Sequence, residues 1–445
     1  MPINEILEII DQLTDFALPY FVIAWEIIKK WFWIPLPFLL WKPTLFYWLW
    51  WRQEIWNSQQ KSIILEIRPP KENLKPMRAM EAVFTGLWQI YADPSPIEKW
   101  WDGQELLVYS FEIAGIDGVP HFFIRCDKGT KNVVESHIYA QFPEAEIFEV
   151  EDYTKKIPQD IPNKEWDLWA TDYRLVNPDP YPIKTYRDFE TERESKEEKR
   201  IDPISSLIEG IAKLKKGEQI WVQIKAKPIL TESPWRKQGK EIINEIINKI
   251  TFRGSPPKKK NFFLEMLEIL FVGAPKKEEK PKETLPPEMK LTSGEKDVLA
   301  GVERKIAKHG YEVYIRHIYL GKKPAFFKPN LRIPITYFTN FASDNSNGIF
   351  PVGDTTSKVR KKWYDTFWFP KRRLYLKKRK SFRRYVERLA WNYPMPGGVF
   401  TLNVEELATL YHFPSKIQTP ASLMERVEAK KGESPMNLPV EEDEE

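Results

Sequence analysis

Apolar positions change spacing several times along this chain, and each change marks an element. Residues 62–68 form a short β-type run. Met77, Met80, Val83, Phe84, Leu87, Trp88 and Tyr91 then recur at the three- and four-residue spacing of one helix face. Two alternating runs, 105–113 and 119–125, flank the turn formers Ala-Gly-Ile-Asp-Gly and predict a hairpin. A helix over 130–142 and a strand over 146–151 complete a β-α-β-β-α-β order, the split β-α-β or ferredoxin-like arrangement.

The pattern then restarts. Residues 167–176 read as a strand, Asp202-Pro203 opens a helix carrying Ile204, Leu207, Ile208, Ile211 and Leu214, and 219–226 alternate as a strand. A helix near 236–250 leads into a Lys/Pro/Glu-rich insertion, 254–290, which reads as a loop around an apolar island at 262–272. Thr292 and Glu295 have capping-box spacing for a helix to Lys308, 311–320 is a strong strand, and helix-like material near 335–341 follows. A second unit like the first is expected, without any sequence repeat to accompany it.

One segment obeys none of these periods. Fourteen of the thirty-six residues at 16–51 are aromatic, and seven of the eighteen tryptophans lie there: Trp25, Trp31, Trp33, Trp41, Trp48, Trp50 and Trp51. Residues 31–51 carry one charge, Lys42. At about 1.5 Å rise per residue, a helix of that length covers roughly the 30 Å of a bilayer's hydrocarbon core. Clustered Trp and Tyr suit the membrane interface, where an apolar ring and a polar N–H or O–H each find their medium. The segment is expected to anchor the chain in a membrane. Pro35, Pro37 and Pro43 remove backbone donors that lipid cannot replace. A kinked span and a re-entrant or interfacial anchor are therefore both open, with a soluble hairpin as the bland alternative. Glu5, Glu8, Asp11 and Asp15, with no basic residue among the first 15, do not fit a cleaved signal peptide. Arg52, Lys61 and the basic remainder favour a cytoplasmic bulk, while Lys29 and Lys30 on the other flank oppose it.

A net charge of +5 hides segregation: the last five residues are all acidic, whereas 358–388 holds fourteen Lys/Arg against Asp365 and Glu387. In that stretch Trp363, Tyr364, Phe367, Trp368 and Phe369 interleave with cations. The pattern suits anionic lipid headgroups, or phosphate contact with base stacking on a single-stranded nucleic acid, or a plain solvated face. The candidate contact residues are Lys361, Lys362, Arg372, Arg373, Lys377, Lys378, Arg379, Arg383 and Arg384.

Catalytic patterns are missing from the sequence. It has no phosphate-binding Gly-x-x-x-x-Gly-Lys-Ser/Thr loop, no Gly-x-Gly-x-x-Gly, and no Gly-x-Ser-x-Gly elbow. His121, His137, His309, His317 and His412 share no metal-ligand spacing, and the one cysteine, Cys126, lies in an apolar strand-like run. No cofactor or metal is expected, and the sequence points away from an enzyme.

Several stretches resemble a bacterial family of unknown function: Leu65-Glu-Ile-Arg-Pro-Pro-Lys71, Ala79-Met-Glu-Ala-Val-Phe84, Ser110-Phe-Glu-Ile113, and Tyr139-Ala-Gln-Phe-Pro-Glu-Ala-Glu-Ile147 with Val150-Glu-Asp-Tyr153. Residues 401–414 and 427–439 match the same pattern. That family occurs fused to, or encoded beside, ATPases of the coupling-protein class in type IV secretion and conjugative DNA transfer. The resemblance spans about 40–440 and contains no catalytic residue. It implies a non-catalytic, membrane-anchored component that positions or regulates a separate type IV secretion-like ATPase, or alternatively a nucleic-acid-binding accessory subunit.

The resulting expectation is an α+β chain with a membrane anchor at 1–58 and a ferredoxin-like unit at 59–155. A second such unit at 156–350 carries the insertion, a basic and aromatic segment with an α+β portion occupies 351–420, and an acidic tail fills 421–445.

Overall fold

In the computed structural model, the described residues are 33–70, 75–90, 92–106, 108–189, 202–230, 234–251, 291–359, 369–390 and 397–414, with scattered positions between 19 and 31. The insertion at 254–290, the acidic tail, Lys361 and Lys362 lie outside them. The chain divides into two compact units, Met1–Gln60 with Pro94–Glu105, and Lys61–Asp93 with Leu106–Glu445.

Among its described residues the second unit is a mixed α+β structure built on a nine-stranded antiparallel sheet. Its first half runs β1 (Ser62–Arg68), α2 (Arg78–Trp88), β2 (Tyr109–Ile116), β3 (Val119–Asp127), α3 (Lys131–Gln141) and β4 (Glu146–Val150). The spatial order is β4-β1-β3-β2. Asp117 and Gly118, both at positive φ (52° and 91°), make the tight turn between β2 and β3. Two left-handed residues match the twist of the flanking strands, and that is the signal Asp-Gly carried in the sequence.

The second half runs β5 (Trp166–Leu175), α4 (Ile204–Ala212), β6 (Glu218–Pro228), α5 (Pro234–Thr251), α6 (Ser293–Ala307), β7 (Gly310–Lys322), α7 (Arg332–Thr339) and β8 (Ile349–Pro351). Its order, β8-β5-β7-β6, repeats that of the first half. Thr292 and Glu295 form the capping box that their spacing predicts for α6. The halves join along β2 and β6, paired antiparallel from Tyr109 opposite Ala226 to Ile116 opposite Gln219. Where the sequence suggests two successive units, the structure makes one continuous sheet.

Each strand alternates, so the sheet has two chemically different faces. One carries Leu65, Ile67, Phe111, Ile113, Val222, Ile224, Val313 and Ile315 against the apolar sides of α2, α3, α4 and α7. Burying each such side chain contributes about 1.5–3 kcal/mol. The C-terminal elements β9 (Phe400–Asn403) and α9 (Val404–Leu410) complete this layer: β9 pairs with β7, and every residue at 401–414 is buried. The opposite face has a smaller apolar cluster, including Phe123, Tyr153, Trp221, Ile318, Phe382 and Tyr385.

The first unit contains α1 (Pro35–Gln59). Pro35 and Pro37 fall in its opening turn, where backbone donors have no intrahelical partner, and Pro43 is taken up inside it. The C-terminal part of α1 packs on a π-helical turn at Glu98–Asp102: Trp48 Nε1 donates to the Trp100 carbonyl at 3.0 Å, and Arg52 Nε to that of Trp101. Gly103, at φ 74°, lets that turn close, because a Cβ there would sit 2.3 Å from the Arg52 backbone.

The expected membrane-spanning anchor is not found, since no helix among the described residues is long and apolar enough to cross a membrane. The physical reason is the kind of apolarity. Trp and Tyr each carry a polar group and prefer the interface to the hydrocarbon, and Lys42, Arg52 and Glu54 interrupt α1. Trp25, Trp31, Trp33, Trp41, Trp48 and Trp51 are exposed, and Trp50 is half-buried.

Candidate functional site

The basic segment folds as a helix, α8 (Pro370–Val386). Pro370 supplies the preset φ of a first helical position, Phe369 precedes it in the left-handed region, and the Lys/Arg/Leu run that follows contains no helix breaker. At about 100° per residue, the side chains separate by chemistry. Phe382 and Tyr385 point inward and are buried, Tyr385 lying 5.4 Å from the Trp221 ring. Leu374, Tyr375 and Lys378 share that azimuth nearer the N-terminus. On the opposite side come Arg372, Arg373, Leu376, Lys380 and Arg383, all exposed, with the half-buried Lys377 and Arg384 at its edges.

The sequence-predicted contact residues therefore part company. Arg372, Arg373, Arg379 and Arg383 are exposed; Lys377, Lys378 and Arg384 are half-buried. Lys377 Nζ donates to the Lys358 carbonyl at 3.3 Å, Lys378 pairs with Asp167 at 2.5 Å, and Arg383 pairs with Glu387 one turn on at 2.8 Å. Burial, then the nearby Arg316, lowers the Arg384 pKa. Arg379 Nη1 donates to the Tyr375 hydroxyl at 2.9 Å. Phe369 and Leu376, 70% and 53% exposed, stand among these cations.

Arg388, the last cation of the sequence patch, belongs to the interior. A left-handed φ of 56° turns it back under the helix, where it is 2% exposed. Its Nε and Nη2 donate to both carboxylate oxygens of Glu112, at 2.7 and 3.1 Å, and its Nη1 to Asp152 at 2.7 Å. Ser110 (2.6 Å), Tyr153 (2.8 Å) and Gln223 (3.1 Å) also donate to Glu112. Burial by itself would raise the Glu112 pKa, but the Arg388 charge and these hydrogen bonds outweigh it and hold the carboxyl below its ordinary value. Glu112 lies directly opposite Gln223 where the two halves of the sheet meet. The end of α8 is thus pinned to the centre of the fold.

A second buried pair lies on the same face: Arg316 Nε donates to Asp172 at 2.6 Å, and its Nη2 to the Leu389 carbonyl at 3.2 Å. These groups are held by partners in the fold, and none is arranged as a nucleophile with a base.

The histidines are dispersed. His121 meets Glu66 at 2.7 Å, His317 meets Tyr173 at 2.7 Å, and His412 meets Asp202 at 2.8 Å. His309 stacks on Trp88 at 3.9 Å, and the His137 ring lies against Gly86. Among the described residues no group of three or more His, Cys, Asp or Glu could hold a metal ion. Cys126 is buried, and burial pushes its thiol up to about 11, far from a reactive thiolate.

The segment 401–414, which the resemblance singles out, is core. Glu406 caps α9 and pairs with the equally buried Lys305 at 3.1 Å, while Glu405 pairs with Lys308 at 2.5 Å. Its Asn403-x-x-Glu406 spacing was the available signal for that helix. Sequence reasoning also missed Lys164 and Lys323. They line a groove of about 550 Å³ beside α8 together with Lys371, Leu374, Tyr375, Lys378 and Arg379. They lie far from the basic segment in sequence, and no local pattern marks them.

Residues 52–425 match the profile of a domain of unknown function, DUF8128, and the chain belongs to that family. The family description carries no activity and nothing that links the chain to type IV secretion. No curated protein matches the chain.

Proposed function

We propose that this DUF8128 protein is a non-catalytic component that works at an anionic membrane surface. The observation that carries the reading is the outward side of α8, where the exposed Arg372, Arg373, Lys380 and Arg383 surround Leu376, with Phe369 exposed at the helix start. Each cation near an anionic leaflet contributes about 1 kcal/mol. Exposed apolar groups among the cations can enter the headgroup layer, and the aliphatic Leu376 gains nothing comparable from base stacking on a nucleic acid. The aromatic helix α1 supports the same reading independently. Phe38, Leu39 and Trp41 are exposed, and an interfacial helix needs no membrane-crossing length.

The fold reading that accompanies it is a pair of ferredoxin-like units, the second carrying an insertion. The proposed task is to hold or regulate a separate ATPase, of the class used in type IV secretion-like DNA translocation. That partner rests on the sequence resemblance alone.

Vesicle flotation tests the membrane reading. Wild-type protein should float with vesicles containing phosphatidylserine and stay behind with phosphatidylcholine alone. Replacing Arg372, Arg373, Lys380 and Arg383 by Gln should lower binding by at least tenfold, and Phe38→Ser with Trp41→Ser should lower it further. If the four-Gln variant floats like wild type yet loses a steeply salt-dependent affinity for single-stranded DNA, the membrane reading falls and the nucleic-acid reading replaces it.

A further inference from the structure

The inner side of α8 is buried only toward its C-terminal end, at Phe382 and Tyr385. Toward the N-terminus the same side overhangs the groove of about 550 Å³, whose far wall is formed by Asp160, Pro162, Asn163, Lys164, Asp167 and Lys323. A volume of this order holds a small polar ligand. Five cationic side chains, Lys164, Lys323, Lys371, Lys378 and Arg379, face two carboxylates. Both carboxylates are already engaged: Asp167 pairs with Lys378 at 2.5 Å, and Asp160 accepts from the Asn163 amide at 3.0 Å. Arg379 is turned toward the groove by its bond to Tyr375, which leaves the phenol hydrogen available to a ligand oxygen. The site thus offers an excess of cationic donors, converging from α8, from the 160–167 segment and from the end of β7.

We propose that this groove binds a phosphomonoester group. Such a group carries about 1.5 to 2 negative charges near neutral pH and three strong acceptor oxygens, which match the surplus of donors. A phosphodiester or a carboxylate brings one charge and leaves the surplus unmet. Lys164, Lys323, Lys371 and Arg379 supply the charge, and Tyr375 supplies a neutral hydrogen bond. A lipid headgroup as the source of the phosphomonoester rests on the membrane reading above; the phosphate chemistry does not.

The full chain is titrated with vesicles containing either phosphatidic acid or phosphatidylserine at matched surface charge, and separately with inorganic phosphate followed by calorimetry. Wild type should bind phosphatidic acid vesicles about tenfold more tightly than phosphatidylserine vesicles, as expected for one or two additional charge-assisted hydrogen bonds. The triple variant Lys164→Ala, Lys323→Ala, Lys371→Ala changes surface side chains only. Its phosphatidic acid binding should fall to the level of its phosphatidylserine binding, so that the preference is lost while the circular dichroism is unchanged. The outer-face variant with Arg372, Arg373, Lys380 and Arg383 replaced by Gln should weaken both vesicle types equally and keep the preference.

Inorganic phosphate that binds at millimolar concentration, and is lost in the triple variant, would identify a free phosphate as the natural source. Calorimetric silence beside a clear vesicle preference identifies a headgroup. Phosphate binding without any vesicle binding would keep the groove and remove the membrane reading. Equal affinity for the two vesicle types with no phosphate binding, or a triple variant indistinguishable from wild type, overturns the proposal.

Discussion

Arg388 grips Glu112 across 276 positions of sequence, donating from Nε and Nη2 to its two carboxylate oxygens at 2.7 and 3.1 Å. The pair is the fixed point from which α8 extends over the sheet. Removing one partner strands the other charge in the interior. Arg388→Met is expected to cost about 3–5 kcal/mol, read as a lower urea midpoint, with Glu112→Gln/Arg388→Met less damaging than the sum of the single changes. The folded Glu112 pKa is depressed below its ordinary 4.5, so the pair's stabilisation is present above that value and fades as pH falls through the folded pKa. Wild type should lose more stability than the double variant below pH 4.5.

His317 makes a second pH-dependent contribution, in a window that opens at higher pH. It is fully buried, and burial lowers its pKa from 6.5 to about 3, so the folded ring is neutral and shares a hydrogen bond with the Tyr173 hydroxyl. Between those values the unfolded chain takes up a proton that the folded chain does not. Stability is therefore complete above pH 6.5 and declines toward pH 3. The limiting slope is about 1.4 kcal/mol per pH unit. His317→Gln should flatten the profile of urea midpoints across that window; an unchanged slope would contradict the assignment.

The capping box of α9 gives a test of its place in the core. Asn403→Ala removes the side-chain acceptor for the Glu406 N–H, 2.8 Å away, and should cost about 1 kcal/mol, with 2 as the upper end. The loss should appear in the global unfolding transition, because the segment lies wholly inside the second unit. A protein that keeps its stability and loses only a binding partner would contradict this placement.

Gly103→Ala probes the first unit. Positive φ and the close Arg52 backbone both oppose a Cβ, and the combined penalty should exceed about 1 kcal/mol. The coupled indoles of Trp48 and Trp101, 5.9 Å apart and edge to face, provide the signal. Their near-ultraviolet dichroism should weaken while the far-ultraviolet spectrum of the sheet stays unchanged.

Much of the sheet was legible in the sequence because its strands alternate. Phe111 and Ile113 face one layer, Ser110 and Glu112 the other, and the Asp117-Gly118 turn fixes their register with β3. The 401–414 segment was opaque for the opposite reason: all of it is buried, so it shows no polar face, and Glu405 and Glu406 look like surface residues until Lys305 and Lys308 are placed beside them. The basic segment was visible as composition only. Whether a given arginine points to solvent or to Glu112 depends on one left-handed residue at 388, which composition does not encode. The aromatic segment left span and interfacial anchor both open; among the described residues no helix is long and apolar enough to span, in keeping with the preference of Trp and Tyr for the interface.

The ladder between β2 and β6 has a consequence for how this protein can be divided. Neither half of the sheet can be cut out cleanly, because each excised piece would leave eight inner-strand residues unpaired, Tyr109–Ile116 or Gln219–Ala226. Such an edge recruits the nearest strand it meets. Two copies of the first half could satisfy it by pairing β2 with β2, reconstructing from identical pieces the continuity that the intact chain achieves by joining two different ones.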